Sequence, residues 1–317
     1  MKVLANDGIS KSGINALEEA GFEVITTTVA QEQLANYINT NNVVVLLVRS
    51  ATTVRKDLID ACPSLKIIGR GGVGMDNIDV EYAKSKGLSV INTPAASSHS
   101  VAELVFAHMY GLARFLHNSN RDMPLDGDTR FGALKKAYAK GTELKGKTLG
   151  VLGFGRIGQA TAKVAIGAGM KVVAFDPFID KANLELDFFD GQKLNFEIAT
   201  VSKEEVIKNS DFITLHVPAQ KDYVIGADEF KAMKDGVILV NAARGGVIDE
   251  VALVQAIKDG KVARAALDVF EKEPQPEIQL LMNPALSLTP HTGAATNEAQ
   301  DRIGTELASQ IISILNN

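Results

Sequence analysis

Three glycines, Gly153, Gly155 and Gly158, stand at the spacing G-x-G-x-x-G. They follow an apolar run, 149–152, that reads as a buried strand, and precede an amphipathic stretch, 157–168, that reads as a helix. Strand, glycine turn and helix start are what a dinucleotide needs. The first glycine allows the tight turn, the second lets a pyrophosphate approach the backbone, and the third lets helix and strand pack closely. A second apolar run, 171–175, ends at Asp176, 18 residues beyond Gly158, where an acid can accept hydrogen bonds from a ribose hydroxyl pair. Three further groups follow later apolar runs: Arg244 in Asn241-Ala242-Ala243-Arg244-Gly245-Gly246, the acids Glu271 and Glu273 after Asp268, and His291 in Pro290-His291-Thr292-Gly293. Together they suit hydride transfer from a secondary alcohol. A histidine can take the hydroxyl proton as the hydride leaves, and a carboxylate beside it orients the ring. An arginine can fork onto a substrate carboxylate. Spacing alone does not choose between Glu271 and Glu273.

These residues must be positioned by a parallel sheet, because ligands of open α/β sheets bind beyond the carboxyl ends of the strands. The chain alternates strand and helix patterns throughout, which predicts right-handed βαβ units. Strands are predicted at 2–5, 23–26, 43–48, 66–68 and 89–92, and again at 211–217, 236–241, 263–268 and 287–289. A helix predicted over about 101–116 is apolar on nearly every face, as buried helices are. His108 and His117 fall on it and read as packed or solvated side chains; His99 and His216 lie near turns with no assigned task. Residues 118–147 read as polar and irregular, long for a loop. A last amphipathic helix, 297–314, is expected to cross back onto the first half.

With 317 residues, 46% hydrophobic and 22% charged, the chain can build two packed domains. A net charge of −5 with no basic block argues against nucleic acid as a partner. The single cysteine, Cys62, allows no internal disulfide and suits a reducing compartment. No signal peptide or bilayer-spanning run is read, so the expected location is cytoplasmic, away from membranes.

From one end to the other the chain resembles the D-2-hydroxyacid dehydrogenase family, most of all its phosphoglycerate dehydrogenase branch. The resemblance rests on Val48-Arg49-Ser50-Ala51-Thr52, the run from Gly69 to Asp79, Asn92-Thr93-Pro94, Gly153-Phe154-Gly155-Arg156-Ile157-Gly158, Asn241 to Gly246, Asp268-Val269-Phe270 with Glu273-Pro274, and Pro290 to Ala294. It implies two Rossmann-like or flavodoxin-like parallel-sheet α/β domains, with an NAD-binding domain (99–291) inserted into a substrate domain made of 1–98 and 292–317. It implies Arg244, Glu273 and His291 as the catalytic set, and so chooses Glu273 over Glu271. NAD would meet Gly153, Gly155, Arg156, Ile157, Gly158, Asp176, Val217, Ala242, His291 and Gly293, with Asp268 on the nicotinamide carboxamide. The substrate carboxylate would meet Arg244 and the Gly72, Val73 and Gly74 backbone. No metal is implied.

The resemblance also implies a homodimer or homotetramer, with residues 101–145 crossing to the neighbour. The chain lacks the tryptophan usual in that segment, so no role in a neighbouring site is assigned to Lys135 or Lys136. It stops one helix after His291, so neither an added regulatory domain nor L-serine feedback is expected. Arg49 directly follows the predicted strand 43–48 and Arg70 follows 66–68 by one glycine; both are expected to line the cleft, where their guanidinium groups suit a substrate phosphate. The leading expectation is oxidation of D-3-phosphoglycerate, a step of serine biosynthesis. A hydroxypyruvate/glyoxylate reductase, another D-2-hydroxyacid dehydrogenase, and an NAD-sensing corepressor are the other readings.

Overall fold

The computed structural model describes residues 1–316. The first half of the chain runs β1 (Lys2–Ala5), α1 (Lys11–Glu19), β2 (Glu23–Ile25), α2 (Gln31–Asn41), β3 (Val43–Val48), α3 (Lys56–Ala61), β4 (Ile67–Arg70), α4 (Val80–Ser85) and β5 (Ser89–Asn92). Three helices follow: α5 (Ser98–Ala113), α6 (Leu116–Asp126) and α7 (Phe131–Ala137). The glycine turn lies between β6 (Thr148–Leu152) and α8 (Arg156–Gly167), before β7 (Lys171–Phe175). Then come β8 (Lys181–Asp187), β9 (Lys193–Ala199), α9 (Lys203–Asn209), β10 (Phe212–Leu215), α10 (Ala227–Ala232) and β11 (Val237–Asn241). The chain closes with α11 (Glu250–Lys258), β12 (Val262–Leu267), α12 (Ile278–Leu281), β13 (Leu286–Leu288) and α13 (Asn297–Leu315).

The contacts divide the chain into two units, residues 1–100 with 294–317, and residues 101–293. The first holds a five-stranded parallel sheet ordered β2-β1-β3-β4-β5. Its strands are short apolar runs because both faces are covered. One face packs on α2 and α3 through Leu34, Ile38 and Leu58, the other on α1 and α13 through Leu17, Ile303 and Leu307. Side-chain caps start the helices where the sequence supplies them. Ser10 Oγ accepts from Gly13 N at the head of α1, and Thr296 Oγ1 from Ala299 N at the head of α13.

The second unit holds a six-stranded parallel sheet ordered β13-β12-β11-β10-β6-β7. The order in which successive strands are added reverses between β6 and β10, the switch point at which such sheets bind ligands. Two expectations need correction here. Residues 118–147 contain α6 and α7 rather than an irregular loop, and His117 lies on α6, past a break at Phe115 (φ 56°). Beyond β7 the chain forms an antiparallel hairpin of β8 and β9 that the sequence reading did not contain. Ala182, Leu184, Leu186, Phe196 and Ile198 pack its inner face on the core, and Lys181–Glu197 and Lys193–Glu185 pair on the outer face. Among the described residues no helix is long and apolar enough to cross a membrane.

Candidate active site

The glycine turn is built for close approach. Gly153 has φ 91°, and a Cβ there would sit 2.5 Å from the His216 carbonyl oxygen at the end of β10. A Cβ on Gly158 would fall 2.1 Å from the Gly153 oxygen, so only glycine lets α8 pack this tightly on the turn. Gly155 faces open space and caps α8 without a side chain, which leaves the N–H groups of the first turn for an anion. Arg156 is exposed and Ile157 half-buried beside them. Asp176, just past β7, accepts hydrogen bonds from Phe154 N (2.7 Å) and Phe178 N (2.9 Å). Each carboxylate oxygen has a second lone pair, so the acid is anchored to the turn and can still take a ribose hydroxyl. Val217 lies just beyond β10 and Ala242 just beyond β11, both half-buried. The residues present therefore fit a dinucleotide.

At the end of β11, Asn241 shapes the turn that carries Arg244. Its Oδ1 accepts from Ala243 N (3.0 Å) and its Nδ2 donates to the Arg244 carbonyl (2.9 Å). Arg244 Nη1 donates back to the Ala243 carbonyl (2.6 Å).

Beyond β12, Asp268 is 1% exposed and anchors the histidine loop. Its Oδ1 accepts from the Thr289 hydroxyl (2.6 Å) and Thr292 N (2.8 Å), and its Oδ2 from Gly293 N (2.9 Å). Its carbonyl accepts from His291 N (2.8 Å). His291 adopts φ 55°, a conformation side chains seldom take.

The His291 Nδ1 lies 2.9 Å from Glu273 Oε2, and Glu273 Oε1 accepts from Phe270 N (3.0 Å). The carboxylate thus holds the imidazole by Nδ1 and leaves Nε2 for chemistry. Glu271 is engaged elsewhere. It accepts from Glu250 N (3.2 Å) and donates its own N–H to Glu250 Oε1 (2.8 Å). Burial, with the Glu271 charge adding to it, pushes the Glu250 carboxyl above its ordinary value. His291 and Glu273 border a cavity of about 410 Å³, lined also by Thr289 and by the apolar side chains of Phe270, Pro274, Leu281 and Leu288 among others.

The first unit carries the other expected residues. Val48 and Arg70 are register partners on β3 and β4, which sets Arg49 and Arg70 at neighbouring strand ends. Asn77 links them: its Nδ2 donates to the Arg49 carbonyl (2.7 Å) and to the Thr52 carbonyl, and its Oδ1 accepts from Arg70 Nε (3.3 Å). Asp7 accepts from Arg49 N (2.6 Å). Gly72, Val73 and Gly74 follow β4 in a turn held by Thr93 N on the Gly72 carbonyl and Asn92 Nδ2 on the Val73 carbonyl. Lys135 and Lys136 are exposed on α7. The sequence reading holds Asn77 only as a member of the run from Gly69 to Asp79, with no role assigned, and two of its partners lie 25 and 28 residues away.

Comparison with known proteins identifies a family. Residues 106–293 match the model of the D-isomer specific 2-hydroxyacid dehydrogenase NAD-binding domain. The chain is 43% identical to D-3-phosphoglycerate dehydrogenase of Methanocaldococcus jannaschii over 99% of its length, but spans only 57% of that protein. It is 42% identical to hydroxypyruvate reductase of Thermotoga maritima, covering 99% of this chain and 98% of that one. The crystal structure of the TT0316 protein from Thermus thermophilus superposes with a TM-score of 0.84 at 28% identity, covering 100% and 97% of the two chains. The chain belongs to the D-isomer specific 2-hydroxyacid dehydrogenase family, and residues 106–293 are its NAD-binding domain.

Proposed function

We propose that the chain oxidises D-3-phosphoglycerate to 3-phosphohydroxypyruvate, a step of serine biosynthesis, with NAD. Bound NAD supplies the hydride acceptor. His291 takes the substrate hydroxyl proton at Nε2, while Glu273 accepts the Nδ1 proton and keeps the ring in that tautomer. Arg244 holds the substrate carboxylate, aided by the Gly72 to Gly74 backbone.

The observation that carries the substrate is the placing of Arg49 and Arg70 at neighbouring strand ends, with Asn77 bonded to the Arg49 carbonyl and to Arg70 Nε. Among the described residues no carboxylate lies within ion-pair distance of the Arg49 guanidinium, so an ordinary ion pair does not account for it. Two such groups suit the oxygens of a phosphate. The test is turnover with 3-phosphoglycerate and phosphohydroxypyruvate against glycerate and hydroxypyruvate. Arg49→Ala or Arg70→Ala is expected to weaken the phosphorylated substrate by about 1.5–3 kcal/mol and to leave the unphosphorylated one little changed. Equal weakening of both, or a wild-type preference for hydroxypyruvate, would sink the proposal.

The second reading, a hydroxypyruvate or glyoxylate reductase, is favoured by one observation: a relative that this chain matches at nearly full length carries the name hydroxypyruvate reductase. The same assay decides between them.

A further inference from the structure

His108 lies in α5, 5% exposed, far in sequence from Asp268, Glu273 and His291. Its Nδ1 is 3.0 Å from Ser287 Oγ in β13, and its Nε2 is 3.1 Å from Thr289 Oγ1 just beyond that strand. The Thr289 oxygen is in turn 2.6 Å from Asp268 Oδ1. Donor and acceptor roles in this chain follow from chemistry. An ionised carboxylate only accepts, so the single Thr289 hydroxyl proton goes to Asp268. The Thr289 oxygen can then only accept from the imidazole, which puts a proton on His108 Nε2. Nδ1 is left to accept from the Ser287 hydroxyl. Burial pushes His108 below the ordinary histidine value, opposed by the Asp268 charge and reinforced by His117, so the ring is neutral near pH 7.

The far end of the same chain is the histidine loop. Asp268 spends its two carboxylate oxygens on the amides of Thr292 and Gly293, next to His291. Hydrogen bonds linked in series polarise one another, and a carboxylate held by a fixed hydroxyl is itself fixed. We infer that His108 is a positioning residue for the reaction, holding the His291 loop in place through Thr289 and Asp268. The inference rests on His291 as the proton acceptor.

The test separates loop anchoring from chemistry by measuring both. Amide hydrogen exchange reports the Thr292 and Gly293 N–H groups directly, and steady-state kinetics reports turnover. His108→Phe keeps a ring but removes the donor, and Thr289→Val keeps the shape but removes the hydroxyl. Each is expected to speed exchange at Thr292 and Gly293 about tenfold and to lower kcat by a similar factor, with β11 amides unchanged. His108→Gln can donate near the Nε2 position and is expected to restore both readouts. Loop exchange at the wild-type rate in His108→Phe and Thr289→Val overturns the inference. So does exchange that rises in the loop and in β11 together, since that is general loosening. His291→Asn is expected to lose turnover while its Thr292 and Gly293 amides stay protected. Turnover retained in that variant overturns the proton-acceptor reading, and the exchange data still report separately on the anchoring.

Discussion

A histidine at φ 55° costs about 1 kcal/mol or more in backbone strain, and His291 keeps that conformation because the loop around it is tied down. Asp268 takes the amides on its C-terminal side, and the Asp268 carbonyl takes its own N–H. Asparagine tolerates the left-handed region well, so His291→Asn removes the imidazole with little change in strain. Its turnover is expected to fall about 10²-fold or more, the scale of general acid–base catalysis, in steady-state assays at saturating substrate. Near-normal turnover would refute the role. In the proposed NAD site, Asp176 would face an added 2′-phosphate, and Pro177-Phe178 supplies no arginine to receive it. The chain is expected to prefer NAD to NADP in kcat/KM. Asp176→Ala should narrow that ratio, and it should raise KM for both cofactors because Asp176 also anchors Phe154. Equal use of NADP by the wild type would sink this assignment. The strand-end groups were legible because apolar runs show where strands stop. The groups that hold them were not: Asn77, Ser287 and Thr289 act across the fold, and ordinary polar residues announce no such role in sequence.

Among the elements, the crossing of α1 and α13 sets how closely the first unit packs on that face. A Cβ on Gly13 would meet the Gly304 backbone at 2.8 Å, and one on Gly304 would meet Ser10 Oγ at 2.1 Å. Ser10 is also the cap of α1, with Gly13 N on its Oγ. Alanine normally favours a helix over glycine by about 1 kcal/mol. In Gly304→Ala, overpacking of about 1–3 kcal/mol and a disturbed cap oppose that gain. Gly304→Ala is expected to lower stability by about 1–2 kcal/mol in urea denaturation. Gly132→Ala, on α7 with open space at its Cβ, is expected to be neutral or mildly stabilising. If the two behave alike, the close crossing is not the cause. The β8–β9 hairpin shows a different limit of reading elements from sequence. Its signal is present: polar and apolar residues alternate from Lys181 to Asp187, and Asp190-Gly191 marks the turn. A reading tuned to buried parallel strands looks for continuous apolar runs and passes over an alternating, half-exposed pair.

At the scale of the molecule, each unit has its own core, and the histidines are shared unevenly between them. Of five, only His99 belongs to the first unit. In the second, burial pushes His108 and His117 below the ordinary value and His216 down to about 3. His216 Nε2 meets Thr214 Oγ1 at 3.1 Å, while its buried Nδ1 has no hydrogen-bond partner among the described residues, so among them the protonated ring finds nothing to receive its second proton. A group whose folded pKa is depressed binds fewer protons folded than unfolded. Its contribution to stability is complete above the unfolded value of 6.5 and is lost as pH falls towards about 3. From pH 7 to pH 5, His216 alone removes at most about 2 kcal/mol. Glu250 acts in the opposite sense, since its raised carboxyl takes a proton more readily in the folded chain. It is one group against three histidines. The second unit is therefore expected to lose stability between pH 7 and 5 while the first changes little. Hydrogen exchange, corrected for intrinsic rates, resolves the two: opening free energies for β10 and β11 should fall with pH and those for β3 and β4 should hold. His216→Gln can keep the bond to Thr214 without titrating and is expected to flatten most of the slope. A wild-type slope in that variant would remove His216 as its source, and equal losses in both sheets would show that the acid sensitivity does not follow the buried histidines at all.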